Sequence, residues 1–171
     1  MKPLSSVLEE LSACASEVPA HVPWADPDEN SVEMGPTDSA LLQSFNARVP
    51  LGELEDLYRC CRSVSLADVH NGYFIHSIEM IERDLEHGAP RQTLGRFHLH
   101  IVPFGSDGGG GRFAMEVGSR DVYFLPPDLV REGTYESNQD SFTRCAGSPY
   151  EFVRWLLDEC RGRTGLSRER R

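Results

Sequence analysis

Histidines are the first residues of this sequence whose spacing could support chemistry. His98 and His100 lie two residues apart, so on a strand both side chains point to one face, as a pair of zinc ligands would. His70 and His76 could complete a four-histidine set, as in a metal-dependent hydrolase. The alternation in RFHLHIV argues against this, because it leaves both histidines facing solvent or a covering helix while the residues between them are buried. The predicted buried set is Phe97, Leu99 and Ile101, and we predict no metal site.

The stretch FGSDGGGGRF, residues 104–113, raises the question of a phosphate or metal loop. A phosphate-binding P-loop would be followed by Lys-Ser or Lys-Thr and a helix, but here a strand pattern follows and no register fits GxGxxG. Calcium would need roughly six to eight oxygen ligands, and Asp107 is the only carboxylate in the loop. We therefore predict a hairpin bend that depends on glycine backbone freedom. The predicted turn glycines are Gly108, Gly109, Gly110 and Gly111.

Serine and cysteine nucleophiles have no recognisable setting in this chain. No GxSxG motif is present, and no cysteine lies in a known catalytic signature. The cysteine count is odd with no CxxC spacing, which argues against a disulfide framework or a zinc ribbon and favours a reducing, cytoplasmic location. The five cysteines are Cys14, Cys60, Cys61, Cys145 and Cys160. We predict no catalytic residue and no cofactor.

Helical spacing of apolar residues predicts five helices that would support these loops. Their ranges are 4–18, 37–48, 51–62, 77–86 and 149–161. Ser6 with Glu9 fits a capping box at the first helix, Thr37 caps the second, Ser77 the fourth and Ser148 the fifth. Residues 19–36, rich in proline and acid, predict a linker or surface wrap without regular structure.

Alternating patterns predict the strands. They cover residues 96–104, 112–117 and 121–125, joined by the glycine loop and a tight GSR turn, which implies an antiparallel sheet. Asn71 and Gly72 predict a further turn before the short strand YFIH. Because helices flank a central meander, the predicted class is α+β.

Charge divides the chain into an acidic body and a basic end. The net charge is −10, and residues 1–160 alone carry 12 basic and 26 acidic side chains. Such a body disfavours direct nucleic-acid binding and attracts basic partners, and no apolar run is long enough to span a membrane. We divide the chain into residues 1–36, a helix with an acidic linker; 37–160, the main domain; and 161–171, a basic disordered tail.

Four segments resemble the SUKH superfamily. They are VPLGELEDLYRCCRSVSLADVHNGYFIH, IVPFGSDGGGGRFAMEV, DVYFLPP and SPYEFVRWLLDEC. The resemblance covers roughly residues 38–160, and HNGYFIH and FGSDGGGG are its most specific parts. The N-terminal helix and the acidic linker lie outside it.

The resemblance implies a compact α+β domain with a central, mostly antiparallel sheet flanked by helices, and a protein that is not an enzyme. Many bacterial members of the superfamily resemble immunity proteins, which bind and neutralise toxins, often nucleases. We therefore expect a cytoplasmic antitoxin, monomeric or weakly dimeric, that binds a cognate and basic polymorphic toxin one to one. The alternative is a regulatory or scaffold protein of the same fold that acts through protein–protein interaction without a toxin.

A partner would meet exposed acids and aromatic anchors beside the two signature turns. The expected contact residues are Asp68, His70, Tyr73, Asp107, Glu116 and Tyr135. Asn71, Gly72 and the four loop glycines are expected to shape the turns rather than to bind.

Overall fold

The computed structural model describes residues 2–95, 98–136 and 142–165. Within these ranges the chain forms five helices and ten strands. The helices are α1 (Leu4–His21), α2 (Ser39–Arg48), α3 (Leu54–Tyr58), α4 (Ile78–Glu86) and α5 (Pro149–Thr164). The strands are β1 (Asn30–Met34), β2 (Cys61–Leu66), β3 (Tyr73–Ile75), β4 (Gln92–Leu94), β5 (Ile101–Asp107), β6 (Arg112–Glu116), β7 (Val122–Leu125), β8 (Leu129–Arg131), β9 (Thr134–Glu136) and β10 (Thr143–Ala146).

Seven strands form the central sheet, in the order β1-β2-β3-β5-β6-β7-β10. Every neighbouring pair in it is antiparallel. The predicted meander is present as β5-β6-β7, and the predicted α+β class is confirmed. A smaller sheet, β4-β9-β8, stands beside it.

Helices α1 and α5 cover one face of the central sheet. Their apolar stripes, which include Leu8 and Leu11 of α1 and Phe152 and Leu156 of α5, are fully buried in one continuous core with the inward side chains of the strands. On the opposite face, a second and smaller core joins the central and small sheets. It consists of Ile101, Ala114, Leu125 and Tyr135. No helix in the described ranges has the length and apolarity that crossing a membrane requires.

Six of the ten described strands were not predicted, namely β1, β2, β4, β8, β9 and β10, and the first two replace a predicted linker and part of a predicted helix. Residues 30–34 lie in the predicted linker, but they form edge strand β1, which pairs with β2 from Asn30↔Leu66 to Met34↔Cys61. The helix predicted over 51–62 is confined to Leu54–Tyr58, and Cys61 already begins β2. In both places pairing with a distant segment decides the conformation, because a strand gains its backbone hydrogen bonds only from a neighbour.

Helix ends follow the predictions in part. Ser77 and Ser148 cap α4 and α5, since their hydroxyls accept hydrogen bonds from the amides of Met80 and Glu151 at 3.3 and 3.1 Å. Asp38, rather than the predicted Thr37, caps α2 through two backbone amides. Helix α1 has no side-chain cap, so the predicted Ser6–Glu9 capping box is wrong.

The other predicted bounds shift by a few residues. Helix α1 continues past 18 to His21, and β5 covers Ile101–Asp107 rather than 96–104. Helix α5 reaches Thr164, so residues 161–164 of the predicted disordered tail are helical. Residues 96–97, with the predicted buried Phe97, and residues 166–171 lie outside the described ranges.

Candidate functional site

The two signature turns lie side by side at one end of the central sheet. Because β3 pairs with β5, the turn before β3 meets the turn after β5, and the Gly108 amide donates to the Gly72 carbonyl at 3.2 Å. A Cβ atom on Gly108 would overlap the carbonyl oxygen of Asn71. This close approach of two backbones requires glycine. The turn residues Asn71, Gly72 and Gly108 therefore join the two hairpins.

The carboxylate of Asp107 binds backbone amides inside the glycine loop. Its Oδ1 atom accepts hydrogen bonds from the amides of Gly109 at 3.0 Å and Gly111 at 2.6 Å. Gly110 adopts a φ of +89°, which the turn needs and which L side chains rarely adopt. The amides of Gly109 and Gly111 are therefore bound within the chain, as in an Asx turn, and are not free to bind an external anion.

An aromatic and charged surface adjoins these turns, and we call it the aromatic rim. It consists of Trp24, Asp68, His70, Tyr73, Trp155, Glu159 and Arg163. Trp155, Glu159 and Arg163 follow each other at intervals of four on α5, so they share one face of that helix. The sequence-predicted residues Asp68, His70 and Tyr73 lie against this stripe.

Contacts along the rim are continuous. The guanidinium carbon of Arg163 lies 5.6 Å from the centre of the Trp24 ring, and its Nε donates to the Asp68 backbone carbonyl at 3.2 Å. His70 Nε2 lies 2.6 Å from Glu159 Oε2, and its ring is 5.9 Å from that of Tyr73. Three segments that are distant in sequence thus form one surface.

Tyr73 joins the rim to the core. Its ring packs edge-on against Trp155 with centroids 5.0 Å apart, and both rings contact Phe113 beneath. Burial, together with the carboxylates of Glu159 and Asp107, raises the pKa of the Tyr73 phenol above its ordinary value of 10. The half-buried hydroxyl therefore remains protonated and can donate a hydrogen bond to a partner.

The remaining predicted contact residues lie elsewhere. Glu116 pairs with Ile101 at the end of the β5–β6 ladder away from the glycine loop. Tyr135 was expected on the surface, but it is only 2% exposed, and its hydroxyl donates to the Pro126 carbonyl at 2.9 Å. Tyr135 fills the small core between the two sheets, so the surface exposure for which it was chosen as a contact residue is wrong.

The four histidines do not come together. His70 lies at the rim, His76 faces Ser106 on the other side of the sheet, and His98 and His100 lie with ring centroids 5.9 Å apart. In the part of the chain that the structure describes, no three His, Cys, Asp or Glu side chains are grouped as metal ligands. The alternative of a zinc hydrolase built on these histidines therefore lacks its ligand set here.

The fold brings together three residues that the sequence motifs did not connect. His76 Nε2 lies 2.8 Å from Ser106 Oγ, and His76 Nδ1 lies 3.4 Å from Asp84 Oδ2. The pairing of β3 with β5 places His76 beside Ser106, and α4, which follows β3, brings Asp84 back to the imidazole. A hydroxyl, an imidazole and a carboxylate in this order can activate a nucleophile.

No protein-family model matches this chain, and no curated protein is significantly similar to it. The resemblance to the SUKH superfamily, and the function that it implies, therefore stay predictions from the motifs quoted above.

Proposed function

We propose that this chain acts by binding another protein, and that it is an immunity protein that neutralises a cognate toxin by occluding it. The observation that carries the proposal is Trp24, whose side chain is 74% exposed beside Arg163 in the aromatic rim. Exposed tryptophan, tyrosine and arginine side chains are the types that contribute most of the binding free energy in protein interfaces.

The composition of the rim favours binding over catalysis. None of its seven residues is a serine, threonine or cysteine, so the rim lacks the nucleophiles that catalytic triads use. Tyr73 and Trp155 are packed against Phe113, and this anchoring lowers the entropy lost when a partner orders them. A preorganised aromatic surface of this kind suits recognition.

The charge of the chain favours a basic partner. With 26 acidic and 12 basic side chains in residues 1–160, long-range attraction accelerates association with a positively charged protein, such as a nuclease toxin. The resemblance to the SUKH superfamily supports the same class of partner.

Co-expression tests the proposal. The chain is produced together with the C-terminal domain of a large secreted protein encoded beside its gene, and growth and complex formation on a sizing column are measured. We expect restored growth and a one-to-one complex. Toxicity without rescue and without a complex would exclude the antitoxin function; a complex with no effect on growth would favour the regulatory or scaffold alternative.

Trp24→Ala tests the rim itself. We expect the dissociation constant of the complex to rise by at least about tenfold, since a large apolar contact is removed at the centre of the interface. Leu129→Ala is the matched control, because Leu129 is 50% exposed but lies on the small sheet. Equal affinity of the two variants would show that the partner binds elsewhere.

A further inference from the structure

A second site lies on the face of the central sheet that points away from α5. Side chains alternate along a strand, so Tyr73 and Asp107 face α5, whereas the paired Phe74 and Ser106 face the other way. A groove of about 440 Å³ opens there beside His76, bordered by apolar atoms that include Phe74 and the 39% exposed Met80. The groove could receive a small apolar group next to the imidazole.

Of the three polar side chains, His76 lines this groove, and Ser106 and Asp84 lie on either side of its imidazole ring. Ser106 Oγ is 2.8 Å from His76 Nε2, which is within the distance for proton transfer. On the other side of the ring, Nδ1 is 3.4 Å from the Asp84 carboxylate. The imidazole side chain is only 14% exposed, so its neighbours hold its orientation. This is the order of nucleophile, base and orienting carboxylate.

The charges around His76 favour the neutral imidazole that a general base requires. Burial lowers the pKa of His76 below its ordinary 6.5, the nearby Asp84 raises it, and Arg112 and Arg83 lower it further. The net direction is downward. At pH 7 the ring is therefore largely uncharged and can accept the Ser106 proton.

Arg112 supplies the positive charge for a developing oxyanion. It lies directly across from Ser106 in the β5–β6 ladder, so both side chains are on the same face. Within the described residues Arg112 forms no ion pair, so its guanidinium can bind a substrate oxygen. A cationic donor on this face stabilises the negative oxygen that forms when a carbonyl is attacked.

We propose that Ser106 is an acyl-accepting nucleophile and that the chain hydrolyses small esters with an apolar acyl group. Ser106 Oγ bonds to the carbonyl carbon while its proton passes to His76 Nε2, and Arg112 binds the carbonyl oxygen. The ester C–O bond then breaks, and the leaving alcohol takes the proton from His76. A water molecule, losing its proton to His76, attacks the acyl-serine, releases the carboxylic acid and restores the Ser106 hydroxyl. This site is separate from the aromatic rim and does not depend on the proposed binding function.

A fluorophosphonate probe and p-nitrophenyl butyrate hydrolysis test this inference on the full chain. In the probe reaction a P–O bond forms at Ser106 and fluoride leaves, so mass spectrometry locates the modified residue. We expect modification at Ser106, and a loss of rate of about a hundredfold or more in Ser106→Ala and His76→Gln. The reaction rate of Asp84→Asn should fall by a smaller factor. Ser31→Ala, which changes an exposed serine of β1 that does not line the groove, is the control and should react as the unaltered chain does.

The pH profile separates a catalytic from a structural role without any variant. We expect the rate of modification of the unaltered chain to rise with pH and to reach half its maximum below pH 6.5, as His76 loses its proton. The inference would be overturned if the probe modified Ser106 no faster than other surface serines. It would also be overturned if the His76→Gln variant stayed folded and reacted as fast as the unaltered chain.

Discussion

At the scale of single residues, the contacts around Asp107 explain why glycines follow it at positions 108–111. The carboxylate binds two amides of its own loop, and a side chain at position 108 would collide with the backbone of the adjacent turn. The run of glycines thus serves two needs, the hydrogen bonds around Asp107 and the close approach to Asn71. Both are structural, which leaves the rim residues as the better candidates for recognition.

Gly108→Ala should lower the free energy of unfolding by about 1–3 kcal/mol, because the new methyl group can only be accommodated if one backbone moves. Urea unfolding followed by circular dichroism measures the change. Gly109→Ala is the matched control, because the nearest neighbour of a Cβ there would be the Asp107 carboxylate, at 3.2 Å, and not a backbone atom. If both variants unfold at the same urea concentration, the contact between the two turns does not contribute to stability.

At the scale of elements, α5 connects stability with recognition. Its buried face, with Phe152 and Leu156, packs in the main core, while Trp155, Glu159 and Arg163 form the helical part of the rim. The start of the helix is specified by Ser148, and the side chain of Glu151 accepts from the Gly147 amide at 2.9 Å. Fraying of this helix would therefore disturb both the core and the rim.

Ser148→Ala should cost about 1 kcal/mol of stability, because the Glu151 amide then loses its acceptor at a buried helix end. The midpoint of urea unfolding reports the change. The same substitution at Ser16, an exposed residue inside α1, should be neutral or slightly stabilising, since alanine favours a helix interior. Equal midpoints for the two variants would contradict a role of Ser148 in holding α5.

At the scale of the whole molecule, the N-terminal 36 residues belong to the same core as the rest of the chain. Leu8 and Leu11 of α1 are fully buried, and β1 extends the central sheet beyond β2. The helix outside the SUKH-like motifs is therefore part of the fold rather than a separate docking arm. Trp24, in the segment between α1 and β1, also contributes to the rim from this region.

Leu11→Ala should lower the free energy of unfolding by about 2–5 kcal/mol, because it leaves a cavity between α1 and the sheet. Thermal or urea unfolding of the full chain measures this loss. We expect all elements, including α1, to unfold in a single cooperative transition. Glu9→Ala, at an exposed position of the same helix, is the control. A biphasic transition in which only α1 unfolds early would show that α1 is energetically separate.

The sequence by itself determined the features that depend on neighbouring residues. The structure confirms the predicted caps Ser77 and Ser148 and the predicted strand meander β5-β6-β7. These predictions succeeded because capping and side-chain alternation depend on residues only a few positions apart. Together they were enough for the α+β class.

Only the tertiary structure decided what depends on pairing between distant segments. Strands β1 and β2 exist because they bond to each other, and the apolar spacing that predicted a helix through Cys61 did not reveal this. Packing of the sheet and helices brings Trp24 next to Arg163. It likewise brings together Ser106, His76 and Asp84. Chemistry at such sites arises from long-range packing, because contacts between distant segments leave no fixed spacing in a single sequence.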